Sequence, residues 1–455
     1  MAHQPALTTI AKFISNQNNA PGSEALACSQ QALIDTLACI FLGINSSVSE
    51  TTVMAFENWG SGNAIVIGQQ LSLAPPFAAM INAACSHAHD YDDFDAIANS
   101  HPSAVIFPAL LAITNTDRHG LEDLLDAHII GVEVIQRLGE AMNMEHYRKG
   151  WLTTTTLGTI AATAACSRLN RCDLETTLNS LSLACSMASG LTNQGGFNAK
   201  QLNPGIAAKN AVMATQLASS GIEANPSTLD GPISIANVMG VYEVEKFETA
   251  LNKLGKPWSI LEYGLIQKAY PSCGYTNRII DAALELHSSH APKIETIKEI
   301  SVSIPDFYLD LLIYPDPANA NEAMFSAEYS VATTLITGFF DQRSLDPKIL
   351  FDEETRRLMS LIKVVPRIPR NRDLALDGDD PDMVRIEFIT GDCINAEVSL
   401  PTGAPGKPMN AAARRQKFDQ CLTDHRTTEE INRIWDLLNQ NTGTADLEEI
   451  LNAVV

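Results

Sequence analysis

Between His87 and Ala112 the chain reads HAHDYDDFDAIANSHPSAVIFPALLA, which sets His87, His89 and His101 among Asp90, Asp92, Asp93 and Asp95. Alanine-rich apolar runs, Pro76 to Cys85 and Ala104 to Ala112, flank this cluster. Polar groups between buried segments must be hydrogen-bonded, paired or used, because desolvating them unpaired is costly. Histidine and aspartate together suit two kinds of chemistry. One is acid–base work, with His101 or an aspartate moving a proton. The other is a divalent metal site. On a helix, His87 and His89 would lie about 200° apart and could not easily share one ion. Neither HExxH nor a Cys/His zinc spacing occurs, so no metal is expected. A solvated acidic helix end would explain the same residues without chemistry.

Other candidates are more scattered. Lys200, in NQGGFNAKQLNPGIAAKN, reads as a loop lysine between helices, and loops on rigid scaffolds often carry ligands. Lys268 and Arg278, in QKAYPSCGYTNR, sit where the texture of the chain changes. Clefts between domains favour ligands, and the two cations could clamp a carboxylate there. Tyr147 and Trp151 precede four consecutive threonines, whose helix start offers a cap and free N–H groups for an anion. Ser272 lacks a GxSxG context, and Cys273 has no legible base, so both read as structural. Glycine-rich phosphate loops and dinucleotide fingerprints are absent, so no nucleotide cofactor is expected.

The elements that must position these groups fall into two textures. From Thr8 to about residue 265 the apolar spacing is helical almost throughout, and small residues allow close helix packing. After Tyr270 a helix (Asn277 to Ser289) gives way to period-two alternation in TIKEISVSIP and LIKVV. It is clearest in MVRIEFITGDCINAEVSL, where Thr390-Gly391-Asp392 marks a hairpin. Helical patterns resume at Ala411 and Thr428. The expected fold is mainly α with a smaller α+β domain: residues 1–267 and 401–455 form a helical domain, and 268–400 form an α+β lid.

Composition narrows the function classes. The 455 residues carry a formal net charge of −22, a field that argues against nucleic acid or an anionic membrane as partner. No signal peptide is legible, and the apolar run Ala32 to Ile44 is broken by Asp35. The nine cysteines are scattered and never in CxxC, which suits reduced thiols in a cytoplasmic protein.

Taken together, the chain resembles the MmgE/PrpD family over its whole length. The resemblance lies in LIDTLACIFLG, HAHDYDDFD…HPSAVIFPALLA, HYRKGWLTTTTLGTIAATAA, KQLNPGIAAKNAVMATQLASSGIEA with TLDGP, KAYPSCGYTNRIIDAALEL, MFSAEYSVATTLITG and LPTGAPGKPM. It implies a cofactor-free homodimer whose site lies between a helical domain and a lid. Its ligand would be a small anionic polycarboxylate. It also implies roles for Asp90, His101, Lys200 and Lys268, with Tyr147 a neighbour. Leu152, Phe94, Cys273 and Asn277 depart from residues usual in the family. On this reading His101 is the principal base or acid, and Asp90 orients it or a substrate hydroxyl. Tyr147 is the opposing acid, Lys200 and Lys268 bind carboxylates, and His87 supports them. The expected activity is a lyase, dehydrating or decarboxylating a small di- or tricarboxylate. The alternatives are an epimerase of an iminodisuccinate-like dicarboxylate, a non-catalytic binding protein of the same fold, and a metal-dependent hydrolase.

Overall fold

The computed structural model describes residues 4–443 and 445–455. Two apolar cores organise them. The first gathers helices from Ala6 to Ile260 and receives the C-terminal segment through Phe418, Leu422, Ile434 and Leu438. The second runs from Ile266 to Ala404 and borrows Phe94 and Met144 from the helical part.

The helical layer centres on Thr153–Leu169, whose residues are all buried. Leu121–Met142, Ser103–Ile113, Leu174–Met187 and Asn198–Ser219 pack around it. Small residues set the spacing. A Cβ on Gly205 would come within 2.5 Å of the Met80 carbonyl oxygen, so only glycine lets Asn198–Ser219 lie this close to Pro75–Ser86. That contact brings Lys200 near the end of the helix that leads to His87.

The smaller layer is a four-stranded mixed sheet. Its strands are β3 (Ile297–Pro305), β4 (Ile362–Arg367), β5 (Asp382–Phe388) and β6 (Cys393–Val398), in the order β4-β3-β5-β6. β3 pairs parallel to β4 and antiparallel to β5, and the β5–β6 hairpin turns where Thr390-Gly391-Asp392 predicts it. The helices Asn277–His290 and Ala327–Thr337 pack with this sheet. Gly403 closes the join between the layers. Its φ is +97°, and a Cβ there would overlap the Gln267 carbonyl, immediately before Lys268.

Two features depart from the sequence reading. The first 265 residues also hold a small antiparallel pair, β1 (Ser61–Val66) and β2 (Leu71–Leu73). The β-branched run Ile65-Val66-Ile67 before Gly68 is its sequence signal. A last short helix, Leu447–Ala453, was also not anticipated. The helix Ser23–Gly43 has the length and mean hydropathy (1.5) of a membrane span. Here it is a core helix, and its Asp35 pairs with Lys417 of the C-terminal segment at 2.7 Å.

Candidate active site

The helix Pro75–Ser86 ends just before the histidine–aspartate cluster, and residues 87 to 102 run as turns and short bridges. The expectation of helical geometry here is therefore corrected. Asp90 and Asn99 both adopt positive φ, 49° and 52°, a left-handed conformation that short polar side chains tolerate best. The reversal folds the segment onto itself and brings His87, Asp90, Asp92 and His101 together, their ligand-type atoms within 4.8 Å of one another. The reading of a solvated acidic helix end also fails. Asp90, Asp92, Asp93 and Asp95 are all buried.

Each carboxylate has its own partners. Lys200 reaches one oxygen of Asp90 at 2.5 Å. Lys268 donates to the other oxygen and, at 2.6 Å, to the Asp90 carbonyl. Burial alone would push the Asp90 carboxyl up, but the two ammonium groups outweigh it and hold it well below the ordinary carboxylate range. Asp92 lies under both histidines, 2.8 Å from His87 Nδ1 and 3.2 Å from His101 Nδ1. Asp93 turns away from them. Its carboxyl hydrogen-bonds with the Ser103 hydroxyl, which meets His128 Nε2 at 2.9 Å, and His128 Nδ1 meets Ser29 at 2.9 Å. Burial drives Asp93 up to about 8, and drives His128 down to about 3. Asp95 caps the turn that follows, accepting from the Ile97 and Ala98 amides.

His101 has the environment of a neutral base. Its Nδ1 faces two acceptors, the Asp93 carbonyl at 3.0 Å and the Asp92 carboxylate at 3.2 Å, so Nδ1 carries the proton. Nε2 then holds the lone pair, 3.7 Å from Asp90. Burial lowers the imidazole to about 4, with Asp92 opposing and Lys268 and His87 adding to the fall. The ring packs edge-on against His87, centroids 4.4 Å apart.

A small cavity opens over this group. Asp90, His101, Tyr147 and Lys200 line it, with Thr154, Thr192, Asn99, Tyr275, Phe94, Leu152, Cys273 and Leu311. Four sequence-predicted residues therefore meet in one cavity. Lys268 and His87 lie beneath it, buried on Asp90 and Asp92, and neither lines the cavity. Lys200 is not in a loop, as the sequence suggests, but in the first turn of the helix Asn198–Ser219. Arg278 is also corrected. It is buried in the lid core, gripping Asp382 through Nε and Nη2 at 2.9 Å, with carbonyls of Asp377 and Asp380 at 3.0 Å. All of its reach is consumed there, and it does not line the cavity. The threonine run does not present an open anion site either. Its residues are buried, and Thr154 accepts the His101 amide at 3.2 Å.

Sequence reasoning gave no special place to Asp92, Asn99, Thr192, Tyr275 or Leu311. Only Asp92 carried a signal, five residues after His87. A divalent ion fits the cluster poorly, because Asp90 already carries two ammonium groups where an ion would sit. A second hollow adjoins the cavity across Tyr147, Thr192 and Leu311, and Arg148 and Asp310 flank it.

Comparison with known proteins finds cis-aconitate decarboxylases among the similar chains. A cis-aconitate decarboxylase of Aspergillus terreus is 26% identical, covering 95% of this chain and 93% of its own. A cis-aconitate decarboxylase-like protein of Aspergillus oryzae is 25% identical, covering 94% and 92%. The human cis-aconitate decarboxylase is 25% identical over 74% of this chain and 71% of its own. The MmgE/PrpD N-terminal domain matches residues 8–247 and the C-terminal domain residues 270–440, so the chain belongs to the MmgE/PrpD family.

Proposed function

We propose that the protein is a cofactor-independent lyase that moves a proton at a carbon beside a carboxylate, with decarboxylation as the preferred outcome. The observation that carries this reading is the buried, neutral His101, oriented through Nδ1 with its free Nε2 at a cavity that Lys200 makes receptive to an anion. The activity of the similar decarboxylases supports the choice among lyases. Lys200 meets a substrate carboxylate with the N–H groups that Asp90 leaves free. His101 takes or returns a proton through Nε2. Tyr147, whose hydroxyl burial raises far above the ordinary range, stays protonated and faces the cavity as a donor. Asp90 stays ionised and spaces the two lysines. We propose that the enzyme acts as a homodimer in the cytoplasm.

The test is proton NMR of a panel of small di- and tricarboxylates incubated with the enzyme in D2O. Loss of carbon dioxide with deuterium at the former carboxyl-bearing carbon is the expected result. Loss of water would move the reaction to dehydration, and inversion without loss would move it to epimerisation. No exchange with any member of the panel would sink the enzymatic reading, and full exchange by His101→Ala would remove His101 as the base.

A further inference from the structure

Of the aspartates between positions 90 and 95, three have partners that explain them. Asp90 carries Lys200 and Lys268, Asp92 faces His87 and His101, and Asp95 accepts two amides. Asp93 is the exception. It is buried, and among the described residues it enters no ion pair. Asp35 and Asp92 both act on it, and both repel an anion there.

The hydrogen bonds around Asp93 have a direction. Ser29, in the helix Ser23–Gly43, donates its hydroxyl proton to the Leu125 carbonyl at 3.2 Å. That proton is then denied to His128, so His128 Nδ1 is the donor in its 2.9 Å contact with Ser29. The His128 ring is fully buried and lies flat on Phe107, centroids 4.0 Å apart, and burial keeps it neutral. Its Nε2 is therefore a bare acceptor, and the Ser103 hydroxyl donates to it at 2.9 Å. The remaining bond, between the Ser103 hydroxyl and the Asp93 carboxyl, then needs its proton from Asp93. The second Asp93 oxygen accepts the Ser103 amide at 3.2 Å, as the carbonyl half of a protonated acid does. Ser103 opens the helix Ser103–Ile113, and one helix start favours an anion only modestly. A buried carboxylate without a cation is far costlier, so the proton stays.

Asp93 also touches the base. Its main-chain carbonyl is the nearer of the two acceptors on His101 Nδ1, 3.0 Å against 3.2 Å for Asp92. The next residue, Phe94, is bridged to Ile266 through its amide and its carbonyl, at 2.9 and 2.8 Å. The peptide that holds His101 is thus fixed on one side by this bridge and on the other by the Asp93 side chain.

We infer that Asp93 is a positioning residue that works as a neutral acid: it donates into the buried line Ser103–His128–Ser29, and that anchor steadies the carbonyl that orients His101. The inference rests on the proposed function only in taking His101 as the base. It separates Asp93 from Asp90 and Asp92, whose charge is required. An asparagine at 93 can donate to the Ser103 hydroxyl and accept its amide, whereas an alanine can do neither.

The experiment uses full-length protein labelled with nitrogen-15 histidine, with His101 and His128 assigned through His101→Ala and His128→Phe. Long-range proton–nitrogen spectra at pH 6.5 should show both rings neutral, each with its proton on Nδ1. Asp93→Asn should keep a slowly exchanging His101 Nδ1 proton, and Asp93→Ala should make its exchange several-fold faster. Infrared difference spectra, wild type minus Asp93→Asn at the same pH, should show the carbonyl stretch of a protonated carboxyl that shifts in D2O. This second readout holds even if Asp93→Ala does not fold. A carboxylate band in place of that stretch would overturn the inference, as would a proton on His128 Nε2. So would an Asp93→Asn protein whose His101 proton exchanges as fast as in Asp93→Ala, or an Asp93→Ala protein that matches the wild type. None of these readouts needs turnover, so a wild-type protein that turns over no carboxylate would remove the lyase and leave this role for Asp93, and turnover without the infrared band would do the reverse.

Discussion

Lys268 grips Asp90 by its side chain and by its main-chain carbonyl, across 178 positions of sequence. This double hold, with Lys200 on the other carboxylate oxygen, keeps a residue at positive φ where the cavity needs it. Asp90→Asn should therefore cost both activity and fold. It leaves two buried ammonium groups without their counter-ion, a loss of about 3–5 kcal/mol. Urea unfolding followed by circular dichroism checks this, and an unchanged midpoint would contradict the ion-pair account.

Lys200 and Lys268 should separate kinetically. Lys200 faces the cavity, so Lys200→Met should raise KM strongly. Lys268 is fully buried and touches only Asp90 and its surroundings, so Lys268→Met should lower stability and kcat with a smaller change in KM. Steady-state kinetics on whichever carboxylate the NMR panel identifies decides this, and the same KM penalty for both would show that Lys268 also binds substrate.

These residues show what the sequence does and does not reveal. The cluster, both lysines and Tyr147 were legible from residue type and from the family resemblance. The way they meet was not, because it depends on the chain leaving helical geometry at His87 and reversing at Asp90 and Asn99. A helical reading of that segment separates His87 from its neighbours, whereas the observed turn brings His87, Asp90, Asp92 and His101 together. Arg278 was misread for a related reason. A cation near a domain boundary looks available until its acceptors appear, and Asp382 lies 104 positions away. The two-layer fold was easier to read, since helical spacing and strand alternation are local. The short β1–β2 pair, with only three residues in its second strand, was too brief to register.

The pH profile carries a signed expectation. With His101 lowered from 6.5 to about 4, the base stays unprotonated well below neutrality. The acid limb of kcat/KM should fall below pH 6 rather than at the ordinary imidazole value. A limb near 6.5 that disappears in a His101 variant would show a less desolvated ring. Stability responds to the same burial. Between about 4 and 6.5 the unfolded chain binds more protons at this histidine, so stability falls as pH falls through that window. His128 and His146, lowered to about 3 and about 4, act in the same sense.

Asp93 should act in the opposite sense. Its carboxyl is raised from 3.8 to about 8, so its contribution is complete below 3.8 and is lost as pH rises through 8. Asp93→Asn keeps a neutral group beside Ser103 and should remove that alkaline loss. Thermal unfolding of both proteins from pH 5 to pH 9 tests it, and parallel curves would show that Asp93 is already ionised in the native state.

Arg278→Met should weaken the lid without touching ligand affinity. It takes the two-point partner from Asp382, which is fully buried and keeps only Arg367 at 3.1 Å, at a cost of about 3 kcal/mol. Protein that remains folded should keep its KM, and a large KM increase would return Arg278 to the substrate.

Removal of divalent ions should leave activity unchanged, because Lys200 and Lys268 already supply the positive charge at Asp90. Assay after exhaustive dialysis against EDTA, with elemental analysis of the same sample, gives the answer.

The Asp90 junction also bears on how the chain matures. Its three charged members stand at positions 90, 200 and 268, and Lys417 ties in the C-terminal segment through the carbonyls of Tyr91 and Lys268 at 2.8 and 3.0 Å. Such distant closures are costly in chain entropy and come late in folding. A nascent chain can complete most of its helical layer before residue 417 has been synthesised, yet the Lys417 tie beneath the cavity forms only after that. Competence should therefore appear only after release of the full polypeptide, and truncated products should be inert however helical they become.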